Sequence, residues 1–144
     1  MSKNPPYLSI SLAGTIALLF AGCGTSDGPA TFPVRGIVEL ESAEPDLLAG
    51  HNIELSLDSD PTVRAFAEIQ PDGHFDLTTL HNGKVQSGAL EGTYKARIVL
   101  SDDNPESRKN IVKRIDPKAL NFESTPFVVQ VPTSDQVTIS LKRR

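Results

Sequence analysis

The chain has 144 residues, with 14 Lys and Arg against 18 Asp and Glu for a formal net charge of −4. That length suits one domain, the acidic balance lacks the basic footprint of nucleic-acid binding, and 11 Pro with 10 Gly argue against a mostly helical chain. A single Cys excludes an intrachain disulfide and any multi-cysteine metal cluster.

The first 22 residues have the parts of an export signal. Lys3 and the terminal amine make a weakly positive start, Asn4-Pro5-Pro6 is turn-prone, and Leu8 to Phe20 is a largely apolar run. The run is shorter than the roughly 20 residues that span a bilayer, which favours a cleaved signal over a membrane helix. It ends in Phe20-Ala21-Gly22-Cys23, which resembles the bacterial lipobox. The resemblance implies cleavage between Gly22 and Cys23, with Cys23 acylated as the new N-terminus. It also explains an otherwise odd Cys in an exported chain. Two or more acyl chains anchor stably, since each buried CH₂ contributes roughly 0.8 kcal/mol. Gly24 follows the Cys, and by resemblance to the enterobacterial sorting rule this does not favour retention at the inner membrane. The expected address is the cell envelope, on the outer membrane and facing the periplasm or the surface. Residues 23–31 are small, polar and without periodicity, a flexible tether ahead of a folded domain at 32–144.

From there, period-two alternation recurs. Val34, Val38 and Leu40 share one face of a strand, as do Ile53, Leu55 and Leu57, and then Val63, Ala65, Ala67 and Ile69. Phe75 and Leu77 form a shorter run, followed by Tyr94, Ala96, Ile98 and Leu100, by Phe127, Val129 and Val131, and by Val137, Ile139 and Leu141. Seven such runs separated by turn-formers predict an all-β, antiparallel sandwich. Pro71-Asp72-Gly73, Glu91-Gly92 and Pro132-Thr133-Ser134-Asp135 supply the turns. Two stretches break the pattern, 41–50 and 102–126. In the second, Ile111 and Ile115 are four apart and suit one apolar helical stripe, limited by Pro105 and Pro117, beside the basic Arg108, Lys109, Lys113 and Arg114. A loop of that length in a small domain is expected to be packed or functional, with Leu120 and Phe122 folding back onto the sandwich.

Few residues offer chemistry. His51, His74 and His81 lie beside turns or alternate outward and lack metal-ligand spacing, so they are expected on the surface. Asp58-Ser59-Asp60 and Asp102-Asp103-Asn104 cluster oxygen ligands at strand ends, but calcium needs six to eight converging oxygens and neither has the Gly and distal Glu of an EF-hand. Phe66 points opposite to Ala65 and Ala67, a candidate exposed contact. Asp58, Asp60 and Phe66 are therefore the weak candidates for ligand contact. No nucleophile elbow or phosphate loop is present, so no catalytic residue, metal or cofactor is expected. Lys142-Arg143-Arg144 is expected to blunt a strand edge.

The order of motifs resembles small planctomycete-type bacterial lipoproteins that carry a carboxypeptidase regulatory-like domain. Phe32-Pro33-Val34-Arg35-Gly36-Ile37-Val38 is similar to their opening strand, Gln70 to Thr79 to their Asp-Gly hairpin, and Gly88 to Ala96 to the lead-in of a core strand. Ile115 to Leu120 with Ser124-Thr125-Pro126-Phe127 is similar to a later segment. The resemblance implies a transthyretin-like, seven-stranded Greek-key sandwich without established activity. A hydrolase of that fold ends in Tyr-Arg-Gly-Ser, whereas this chain ends Leu141-Lys142-Arg143-Arg144. The function expected is that of a non-enzymatic, lipid-anchored envelope protein whose sandwich serves a structural or protein-interaction role. Its partners would be the membrane and an envelope protein or cell-wall component. The alternative is a module that binds calcium or a cell-wall glycan on the same sandwich.

Overall fold

A computed structural model describes residues 28–41 and 43–144. The signal at 1–22, Gly22, Cys23 and the tether up to residue 27 lie outside the described residues. The described chain is mostly strand with one α-helix, in the order β1 (Thr31–Phe32), β2 (Arg35–Leu40), β3 (Asn52–Leu57), β4 (Arg64–Glu68), β5 (His74–Asp76), β6 (Thr78–His81) and β7 (Lys84–Ser87). Then come β8 (Ala89–Leu90), β9 (Gly92–Val99), α1 (Pro105–Arg114), β10 (Val128–Val131) and β11 (Val137–Leu141).

Alternation places the core. Ile53, Leu55 and Leu57 of β3, Ala65 and Ala67 of β4, and Tyr94, Ala96 and Ile98 of β9 are all buried. They form the inner face of a six-stranded sheet ordered β10-β9-β3-β4-β6-β7, antiparallel throughout. Val38 and Leu40 of β2, Phe75 of β5, and Ile139 and Leu141 of β11 belong to the same buried cluster from a three-stranded sheet ordered β11-β2-β5. The two layers thus share one core, as a β-sandwich requires. Full burial of an aliphatic or aromatic side chain contributes roughly 1.5–3 kcal/mol. In the smaller sheet Phe75 sits opposite Gly36, where a Cβ would collide with its ring and with the Val137 carbonyl. Tyr94 is buried with its hydroxyl donating to the Leu90 carbonyl at 3.0 Å.

All seven expected runs contain a strand, and four further strands (β1, β6, β7, β8) join them among the described residues. The longest unexpected piece is the β6–β7 hairpin. Asn82 and Gly83 turn it with φ of 50° and 75°, the left-handed pair that a two-residue hairpin turn demands. A second difference is strand direction. β11 runs parallel to β2, Val137 beside Gly36 through Leu141 beside Leu40, which apolar alternation does not encode.

The long connections are packed. Pro45–Leu48 forms a 3₁₀ turn that buries Leu48. In the 102–126 stretch, α1 lies between Pro105 and Pro117 as expected, and Pro105 is its first residue, where a proline gives up an amide that has no helical partner anyway. Asn104 caps the helix by accepting from the Ser107 amide at 3.0 Å, and Ile111 and Ile115 are buried. The basic tail is not a bare edge: Arg143 bridges to Ile115, and the Arg144 amide donates to the Arg114 carbonyl at 3.0 Å.

Candidate functional site

The outer face of the six-stranded sheet carries the most distinctive side chains. Register puts Val128, Lys95, Ser56, Arg64, Leu80 and Val85 in one row across β10, β9, β3, β4, β6 and β7. The neighbouring row holds Arg97, Glu54, Phe66 and Thr78. At the β9–β3 end the face is closed. Phe122 lies between two guanidinium groups, with Arg64 and Arg97 each 4.5 Å from its ring centre. Glu54 Oε2 accepts from Arg97 Nε at 2.9 Å and from Nη2 at 2.6 Å, while Arg64 Nη1 stands 3.8 Å from Glu54 Oε1. This one carboxylate offsets two cations, and both cations meet the electron-rich face of Phe122. Ser56, outward-facing in the same rows, is buried. Phe122 and Leu120 therefore fold back as expected, Leu120 packing against the core.

At the other end the face is open. Leu80 and Val85 are direct cross-strand partners, 50% and 66% exposed, and Phe66 is 37% exposed on the same side of the sheet. Phe66 thus faces outward and is exposed, as its place in the alternation suggested. Asp58 and Asp60 sit in the exposed β3–β4 turn. Asp58 lies four residues beyond Glu54, the partner of Phe66, a rise of about 13 Å along a strand, so the structure does not bring these candidates together. Asp60 Oδ1 accepts from the Thr62 hydroxyl at 2.6 Å and from its amide at 3.1 Å. Those bonds hold its carboxyl below its ordinary pKa. Among the described residues no three of His, Cys, Asp and Glu converge to hold a metal ion.

His51, expected on the surface, is instead 2% exposed, because α1 and the 100–104 turn cover it. The Ser101 amide donates to Nδ1 at 3.0 Å. A backbone amide can only donate, so Nδ1 keeps its lone pair and the ring proton sits on Nε2, facing Ser107 Oγ at 3.3 Å. Burial and then the Arg108 charge lower the His51 pKa, fixing the neutral ring. A nitrogen that carries the proton does not take one from Ser107, so the pair ties α1 to the sheet and activates no nucleophile. Sequence spacing gave no sign of it, since the two residues are 56 apart. They line a cleft of about 290 Å³ with Glu68, Ser101, Asp103 and Asn104. A second cleft, of about 390 Å³, lies between Asp116, Lys118, Phe127 and Lys142. Asp116 Oδ1 there accepts from the Lys118 amide at 3.0 Å. His74 faces Asp72 at 3.1 Å on the surface, and His81 is half-buried at the β6–β7 turn.

No helix among the described residues is long and apolar enough to cross a membrane. No protein-family model matches this chain, nor does any curated protein or solved structure.

Proposed function

We propose that this is a non-enzymatic lipoprotein of the cell envelope, held to a membrane through acylated Cys23 and presenting its β-sandwich for structural or protein-interaction purposes. The observation that carries the reading is Phe20-Ala21-Gly22-Cys23 directly after the apolar run Leu8 to Phe20, with the only Cys of the chain at the acceptor position. The first strand among the described residues begins at Thr31, a short polar stretch after Cys23, which agrees with it. The finer fold reading is the seven-stranded Greek key of the transthyretin-like domains that the motif order resembles. The two facing sheets support it.

The test is membrane partitioning. In bacterial cells that process lipoproteins, the wild type should stay in the membrane pellet through a high-salt and alkaline wash. Cys23→Ser should leave the membrane or accumulate unprocessed. A wild type that washes off as readily as the variant overturns the anchor.

A second reading, a glycan-binding module, draws on the exposed Phe66 beside Arg64. A ligand of the native state must raise the melting temperature. Melts with calcium and with soluble cell-wall glycan, repeated on Phe66→Ala, decide it, and unchanged midpoints sink it.

A further inference from the structure

The described chain begins at the edge of the six-stranded sheet. Gly28 lies against the Gln86 side chain of β7, close enough that a Cβ on Gly28 would collide with its amide. Residues 31 and 32 then pair with β8. Cys23 is only five residues upstream, and five residues span at most about 18 Å when fully extended. Neighbouring strands are about 4.8 Å apart, so β10, five strands away from β7 in the sheet order, is about 24 Å from it. The tether is therefore too short to seat the β10 edge on the surface that holds Cys23, and long enough to seat the β7 edge.

The outer face is also more apolar at the β7 edge than at the β10 edge, where Val128 is exposed beside Lys95. Val85 and Leu80 are exposed side by side, with Phe66 behind them and Lys84 exposed at the turn. At the β9 end, Phe122 and its two arginines cover the same face. The charge near the hairpin is mixed, with Lys84 at its turn and the exposed Asp58 and Asp60 in the β3–β4 turn. A contact made here rests on apolar side chains, not on attraction to anionic lipid.

Resting on the acylated Cys23 of the proposed function, we infer that the β6–β7 hairpin is the membrane-facing end of the domain, with Val85 and Leu80 seated at the boundary between headgroups and acyl chains. The anchor and the hairpin then hold the membrane at two points. The β9–β10 edge, α1 and the Asp116–Lys142 cleft are turned outward.

Val85 and Val128 make a matched pair for the test, because they end the same cross-strand row and are 66% and 63% exposed. Thioether acylation consumes the Cys23 thiol, so a Cys introduced at either position is the only site that a thiol-reactive fluorophore labels. The lipidated full chain carrying Val85→Cys or Val128→Cys would be labelled with an environment-sensitive dye and placed in phosphatidylethanolamine–phosphatidylglycerol vesicles, then in phosphatidylcholine vesicles. The expected result is blue-shifted emission and several-fold slower iodide quenching at position 85 than at position 128, in both lipids. Equal quenching at the two positions, in protein whose intact mass carries the acyl chains, overturns the orientation while leaving the anchor standing. Protection at 85 that persists in detergent and grows with concentration overturns it in favour of edge-to-edge pairing of two copies. A protein without acyl mass overturns the anchor and the orientation together.

Discussion

The two ends of the six-stranded sheet share an inner face and differ on the outer one. At the β9–β3 end, the segment after α1 lays Phe122 over the sheet, and Arg64, Arg97 and Glu54 close around it. At the β6–β7 end, Leu80 and Val85 face each other across the hairpin and stay 50% and 66% exposed on that face. The inner face is buried at both ends, by Tyr94, Ala96, Ile53 and Leu55 at the β9–β3 end and by Thr79, whose hydroxyl donates to the Gly88 carbonyl at 2.8 Å, at the β6–β7 end. The outer face is free to vary, and one end is sealed within the domain while the other is left open.

The sharpest way to break this comparison is to cut into the shared inner face. Leu55→Ala should lower the unfolding free energy by about 2–5 kcal/mol, read by denaturant titration, as expected for a large-to-small change in a packed core. A loss below about 1 kcal/mol would mean that the sheets do not share a tight core.

The sealed end comes next. Phe122→Ala should cost about 1–2 kcal/mol, since each of its two cation–ring contacts contributes about 0.5–1 kcal/mol at a partly exposed site. Phe122→Leu, which keeps an apolar group but no ring, should recover only part of the loss. Full recovery by Leu would reduce the two arginines to bystanders.

A smaller effect follows from the ring that ties α1 to the sheet. The folded His51 pKa lies below its ordinary 6.5, so between those two values the unfolded chain binds more protons than the folded one, and stability rises with pH there. The contribution is complete above 6.5 and is lost as pH falls through the window beneath it, where protonation of Nδ1 breaks the bond from Ser101. His51→Gln should flatten the stability profile in that window alone. The lowered carboxyls of Asp60 and Asp72 act elsewhere, their contribution being lost only as pH falls below 3.8. A wild-type profile that stays flat as pH falls below 6.5 contradicts the buried neutral ring.

The open end gives the smallest effect. Leu80→Ala should change stability by no more than about 0.5 kcal/mol, as for surface positions outside special contacts. A core-sized loss would show that Leu80 is covered in solution.

These regions also differ in how legible they were in the sequence. The inner face could be read residue by residue, because Ile53, Leu55, Ala96, Val129 and Ile139 alternate with polar neighbours. The β6–β7 hairpin escaped because Val85 is a lone apolar residue in β7 and Leu80 points outward, so neither strand has an inner apolar row. The signal that could have found it was local: Asn82-Gly83 between short runs is a hairpin turn pair. α1 is legible through Ile111 and Ile115 and through the limits set by Pro105 and Pro117, whereas its cap, Asn104 accepting from the Ser107 amide, is not marked by any apolar pattern. The Phe122 clamp and the His51–Ser107 contact join residues far apart in the chain, and alternation says nothing about such pairs. Phe66 was visible in the pattern as outward-facing, whereas its distance from Asp58 and Asp60 emerged only from strand register.

The most direct test of the central claim is the intact mass of the protein made in a bacterium that processes lipoproteins, set beside Cys23→Ser. The account predicts a mature chain beginning at Cys23 and carrying acyl mass, with neither feature in the variant. A chain that keeps residues 1–22, or one cut at another position with an unmodified Cys23 thiol, would contradict it.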